Sequence, residues 1–155
     1  MTTAKLTLGT RTQLSGAAAA INSLANGTFV LLGTLTHVSS GKVPLDVLVE
    51  LGVTPGVPSG NRQAILYAQH SLDGTTFGTG PISGTSTQDE PDLVFVGALP
   101  MFTTAGVQRK VFSLATAYGG ILPYATKLIL KNDCGSAFAS SGNDLYTSDV
   151  SGDIA

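Results

Sequence analysis

The sequence predicts an all-β protein, an antiparallel β-sandwich or jelly roll with at most one short helix near its amino end. Three observations lead there. Seven or eight short apolar segments of strand length recur along the chain, each closed by glycine, proline, asparagine or aspartate. No helical crossover separates them, as a parallel α/β sheet would require. Only 12% of the residues are charged, about half the usual share, and Gly, Thr, Ser and Ala take the place of the missing charges.

Taken in order, residues 1–14 read as an amino-terminal arm. The segment "SGAAAAINSLANG" carries the one candidate helix, with Ser15 as its cap, Ala17 to Ala20 as helix formers and Asn26-Gly27 as its left-handed stop. At ~10 residues it needs packing to persist. "TFVLLGTL" is a short apolar run with the look of a buried strand. In "KVPLDVLVELGV", Leu45, Val47, Val49 and Leu51 fall on one side, while Asp46, Leu48 and Glu50 fall on a wetter one. Pro44 suits the start of that strand or an edge, and "TPGVPSGN" is a loop.

"RQAILYAQHSL" is the next strand, and Asp73-Gly74 predicts a hairpin turn after it. "FGTGPISGTSTQDEP" is then a long polar excursion, the kind of loop in which binding often resides. "DLVFVGALP", "VQRKVFSLA" and "ATKLILKND" follow as three buried strands. In the last, Leu128 and Leu130 share one face, and Lys127, Ile129 and Lys131 the other. "AYGGILPY" turns the chain through paired glycines and Pro123. A final strand is expected near Leu145-Tyr146, with residues 147–155 fraying as a tail. Residues 15–146 thus form a single sandwich domain between an arm and a tail.

A chain of 155 residues is one domain long and buries about 70% of its unfolded surface, so it needs no metal or disulfide staple. The net charge of -2 gives no general attraction to nucleic acid, and the eight Lys and Arg are scattered, Arg109-Lys110 being the closest pair. Cys134 is the single cysteine, which excludes an intrachain disulfide and any multi-cysteine zinc site. No signal peptide and no span of ~20 apolar residues is visible, so the expectation is a chain made and assembled in a cytoplasm, without a membrane.

Chemistry is harder to find. "YAQHSLDGTTFG" sets His70, Ser71 and Asp73 within four positions, which raises the prospect of a hydrolase. Neighbouring strand residues point to opposite faces, so His70 and Ser71 do not meet across their own strand, and Asp73 belongs to the turn. A serine nucleophile needs its base within hydrogen-bond reach. The other imidazole, His37 in "LTHVSSG", has no recognisable partner. "GTTFGTG" and "SGN" lack the spacing of a phosphate-binding loop. Asp89, Glu90 and Asp92, like Asp133, Asn143 and Asp144, invite a cation but lack the spacing of a calcium loop. With no Trp, and with Tyr67, Tyr118, Tyr124 and Tyr146 dispersed, a sugar platform is weakly supported. The expectation is a protein with no catalytic, cofactor or metal residues.

One stretch points further. "RKVFSLATAYGGILPYATKLILKNDCGSAFASSGNDL" resembles the carboxyl-terminal half of small β-sandwich virion proteins of tailed bacteriophages, of the head decoration or cement kind. The likeness lies in a strand, then "GGILP", then a strand ending in "KNDCG" and a hydroxyl-rich "SSGN" turn. "LYAQHSLDGTTF" is similar to their strand–Asp-Gly–strand hairpins, and "RTQLSGAAAAINSLANGTFVLLG" to their amino ends. Cys134 stands where such a protein would carry a small polar residue. The resemblance covers roughly half the chain and implies a homo-oligomeric structural protein on the capsid surface. Its partners would be the major capsid protein and copies of itself, and it would have no catalytic residues. The alternative expectation is a tail or fibre component, or a carbohydrate-binding sandwich, resting on the excursion over residues 77–92.

Overall fold

A computed structural model of the protein describes residues 4–154. Its strands are β1 (Ala4–Leu8), β2 (Thr12–Gln13), β3 (Phe29–Thr36), β4 (Asp46–Val53) and β5 (Gln63–Ser71), then β6 (Ser83–Gly84), β7 (Val94–Pro100), β8 (Gln108–Ser113), β9 (Ala125–Asp133) and β10 (Asp144–Ile154). Two one-turn helices, α1 (Ala17–Ile21) and α2 (Leu114–Ala117), and a 3-10 turn at Glu90–Asp92 complete it. Sheet I runs β1-β10-β4-β8, with β2 also on β10; sheet II runs β6-β3-β9-β5-β7. Every strand pairing is antiparallel. This is the all-β sandwich that the sequence predicts.

The sandwich closes because alternate side chains of both sheets meet in one core. Val47, Val49, Leu51 and Val53 of β4 and Leu145 of β10 face Leu32 of β3, Ala64 and Leu66 of β5, and Leu128 and Leu130 of β9, all buried. Each fully buried aliphatic side chain of this kind contributes about 1.5–3 kcal/mol. Phe112 of β8 lies directly against Gly97 of β7, where a Cβ would stand 2.5 Å from the ring. Ala17 and Ile21 of α1 plug the core from one side, and Leu114 and Ala115 of α2 from another. Helix α2 is capped twice: Ser113 Oγ accepts the Thr116 N–H at 3.0 Å and Asp46 Oδ1 accepts the Ala115 N–H at 2.8 Å.

The outer face of sheet II is also partly covered, with Phe95 beside Tyr67 left exposed. Phe29, Ile65, Tyr67 and Ile129 form a second apolar cluster closed by Leu93, at the end of the long excursion. The excursion is fastened there. Gln69 Nε2 donates to the Gly80 carbonyl at 2.9 Å, and Tyr67 Oη donates to Glu90 Oε1 at 2.5 Å. Lys131 Nζ donates to both carboxylate oxygens of Glu90, at 2.7 and 2.8 Å. Burial by itself would raise the Glu90 carboxyl, but Lys131 and Tyr67 outweigh it and hold it below the usual range.

Several expectations are corrected. Ser15 does not cap α1; left-handed Gly16 occupies the N-cap with no side-chain bond, and the helix is five residues long. It stops at Ile21 because Ser23 turns left-handed and its N–H goes to the Ala139 carbonyl. A second helix, α2, follows β8 where a strand was expected to continue. Asp73-Gly74 is a turn, but it joins no hairpin: β5 pairs with β9 and β7. Leu45 precedes β4 and is 56% exposed. Strands β7 and β8 are edges, not buried strands, with Phe95 and Val111 exposed.

The tail does not fray where expected. β10 continues from Asp144 to Ile154 as a central strand of sheet I, flanked by β4 and by β1 and β2 of the expected arm. Backbone pairing, not apolar side chains, holds its second half. Residues 1–3 of that arm and 155 of that tail lie outside the described residues.

Candidate interaction surface

The structure separates the residues that looked catalytic. His70 is exposed and Ser71 buried, on opposite faces of β5. Ser71 Oγ donates to Asp73 Oδ1 and accepts the Gly74 N–H at 2.9 Å. Asp73 also accepts the N–H groups of Thr75 and Thr76, which hold its carboxyl well below the ordinary carboxylate range. Gly74 takes φ +79°, and a Cβ there would stand 2.8 Å from the ring of Tyr124. The constellation is the framework of a turn.

His37 lies at the end of β3, buried, with Nε2 2.9 Å from Thr126 Oγ1; the Thr126 hydroxyl in turn donates to Tyr118 Oη at 3.2 Å. Burial lowers the pKa of His37, partly offset by Asp149. Burial likewise pushes the Tyr118 phenol up to about 12. His70 meets the other side of Tyr118, edge to face at 6.3 Å between centroids. Among the described residues, neither imidazole hydrogen-bonds a carboxylate or a serine.

The acidic candidates are taken up by neighbours, except Asp89, which has among the described residues a single long contact, 3.5 Å from the Ser86 hydroxyl. Thr79 Oγ1 donates to Asp92 Oδ2 at 2.7 Å, and Asp133 Oδ2 accepts from Asn61 and Gln63 at 2.8 and 3.0 Å. Asn143 clamps two loops, accepting the Thr54 N–H and donating to Asn22 Oδ1 and the Ala139 carbonyl. Asp144 forms a bidentate pair with Arg109. Among the described residues no group of three or more His, Cys, Asp or Glu is placed to hold a metal ion, and no helix is long and apolar enough to cross a membrane. Cys134 is buried, and that burial raises its thiol pKa.

The outer face of sheet I is open. The register aligns Leu8 with Val150, Ser148 with Leu48 and Ser113, and Tyr146 with Glu50 and Val111. Leu6, Leu8 and Val111 are 71%, 63% and 54% exposed. Leu8, Leu48, Val111 and Tyr146 line a shallow concavity of about 180 Å³. Arg11 lies over the Tyr146 ring, 3.2 Å from its centroid, and donates to both carboxylate oxygens of Glu50, at 2.7 and 3.1 Å. Arg109 joins Glu50 to Asp144. Arg11 lowers the pKa of Glu50 through that hydrogen bond. The surface is therefore an apolar floor beside a rim of two cations and two anions that neutralise each other.

Sequence reading passed over this surface. Its local traces are Leu6 and Leu8 alternating with Lys5 and Thr7, and Leu48 on the wetter side of its strand with Glu50; the rest converges from β8 and β10. Compared with family models, with curated proteins and with solved structures, the chain finds no match, so its function is argued from this surface.

Proposed function

We propose that the chain is a structural protein of a tailed-phage virion, a decoration or cement protein that seats on the major capsid lattice. It would be made in the host cytoplasm and act on the capsid surface, with no catalytic step. One observation carries the reading: the outer face of sheet II is partly covered by the chain's own excursion, with Phe95 left exposed at its edge, while that of sheet I leaves Leu6, Leu8 and Val111 open beside a neutral rim. A protein that works by contact needs one such face. The resemblance of residues 109–145 to phage head decoration proteins supports the same reading.

The physics of cementing fits a small module. Each contact is weak, but copies related by capsid symmetry engage together, and linked contacts gain avidity without new chemistry. A tail-fibre or glycan-binding role would need the 77–92 excursion or the tyrosines free for a ligand. Glu90 and Gln69 tie the excursion to its own sheet, and Tyr67 and Tyr118 are bonded within the fold. Arg11 covers the Tyr146 ring, and Tyr124 alone of the four is 39% exposed, too little for an aromatic platform. That favours the capsid reading.

The test is pelleting with capsids stripped of accessory proteins. Wild type is expected to co-sediment saturably. Leu48→Glu and Val111→Glu, which put a carboxylate into the apolar floor of the contact, are expected to weaken binding by about tenfold or more. A wild-type protein that stays in the supernatant at saturating capsid sinks the cement role.

A further inference from the structure

The four edges of the two sheets are not protected alike. Edge strands expose unpaired backbone groups, and proteins blunt them with charge, proline, bulges or shortness. β8 carries Arg109 and Lys110, and Lys110 Nζ reaches the Ala98 carbonyl of β7 at 2.9 Å. β7 ends in Pro100 and is bulged against β5 between Leu66 and Tyr67. β6 is two residues long. β1 has none of these defences except Lys5: its five residues pair with β10 in unbroken register, and Lys5 to Leu8 are exposed.

The same strand is short of partners. β4 begins at Asp46, opposite Val150, so among the described residues the register gives Ser151 to Ile154 only β1 as a paired strand. β1 and the end of β10 therefore continue as a two-stranded ribbon, with Leu45 of the loop before β4 lying against Gly152. Such ribbons are marginal in water; three or more strands with an apolar face are needed for independent stability. The Gly9 N–H donates to the Asp149 carbonyl at 2.7 Å. Alternation along an antiparallel ladder then turns the N–H and C=O of Leu6 and Leu8 away from β10.

We propose that β1 pairs antiparallel with β1 of a second copy, about a twofold axis through Leu6. The two copies of sheet I then become one continuous sheet, and the two ribbons one four-stranded unit. This register pairs all five residues, Leu6 with Leu6 and Ala4 with Leu8, and extends the apolar outer face without a break. It sets Lys5 opposite Thr7. A shift that set Lys5 opposite Lys5 would place like charges face to face, which is destabilising. The pairing goes beyond the capsid role and is a property of the free chain.

Sedimentation equilibrium of the purified protein tests it. Wild type is expected to form a concentration-dependent dimer. Leu6→Pro removes an outward N–H, which an edge tolerates, so the dimer is expected to weaken at least about tenfold while the thermal midpoint of the domain holds. Thr7→Glu sets a carboxylate opposite the Lys5 of the other copy and is expected to tighten the dimer about fivefold at low salt, with the gain lost at high salt. Should Leu6→Pro impair folding, Thr7→Glu still decides the matter. A wild type that stays monomeric at its highest soluble concentration, a dimer unaffected by Leu6→Pro in a folded protein, or a dimer weakened by Thr7→Glu overturns the proposal. A monomer that still pellets with capsids refutes the pairing alone; a dimer that does not pellet refutes the capsid role alone.

Discussion

Ser71 and Asp73 are bound to each other. The hydroxyl donates to Asp73 Oδ1 across 3.0 Å, so neither residue is available to His70, on the other face of the strand. Asp73→Ala is expected to lower the thermal midpoint, because the N–H groups of Thr75 and Thr76 lose their acceptor. The folded-state pKa of Asp73 is depressed, so its contribution is complete above the unfolded value near 4 and is lost as pH falls below it. Wild type and variant unfolding curves should therefore converge in acid. A difference that persists unchanged at the lowest pH would rule out the carboxylate as its cause.

His37 should make the fold sensitive to mild acid. Its folded-state pKa lies below the ordinary value because burial disfavours the imidazolium, with Asp149 opposing only in part. The unfolded chain then binds the proton more readily, so stability is full above about pH 6.5 and declines as pH falls below it, toward the folded value. Denaturant midpoints measured between pH 7.5 and 5 should fall in wild type. His37→Gln should flatten that part of the profile.

Glu90 and Lys131 should control the excursion over sheet II. Their charged groups are mostly shielded, with side chains 19% and 16% exposed. Lys131→Met leaves the Glu90 carboxylate with Tyr67 as its remaining side-chain donor, at a cost of about 1–3 kcal/mol. Hydrogen exchange should show residues 77–93 opening faster while the β9 interior stays protected. Uniform acceleration across both sheets would mean that the excursion is no separate unit.

Gly52 has no room for a side chain. A Cβ there would lie 2.7 Å from Arg109 Nη1 and closer still to Asp144. Gly52→Ala is expected to cost about 1–3 kcal/mol by forcing the ion pair aside. Leu51→Ala, next to it and facing the core, should cost about 2–5 kcal/mol through the cavity it leaves. Leu72→Ala, at an 82% exposed position, should stay within about 0.5 kcal/mol. Chemical denaturation of the three variants checks the order.

The parts of the fold legible in the sequence are those where side-chain alternation alone decides the face. Val47, Val49 and Leu51 face the core as their spacing predicts, and Leu128 and Leu130 face it across β9. Asp73-Gly74 was legible as a turn, but the partner of β5 was not, because pairing depends on β9 and β7, distant in sequence. β10 was missed beyond Tyr146 because Thr147, Ser148, Asp149 and Ser151 carry no apolar signal; the ladder to β1 and β4 holds them. The candidate surface was invisible for a related reason. Leu48, Val111 and Tyr146 are unremarkable singly and become a patch only when three strands are laid side by side.

The position of β10 also sets the order in which the molecule can form. β10, the last of the described strands in chain order, is an inner strand of its sheet, and it binds both β1, the first of them, and β4. Nothing in that sheet can close around Leu145 until β10 is in place, so its assembly must bring together strands far apart in sequence. Loop closure over such separations is slow, in the millisecond-to-second range of β-sandwiches. Until then β1 is an unpaired, leucine-bearing ribbon searching for a partner strand.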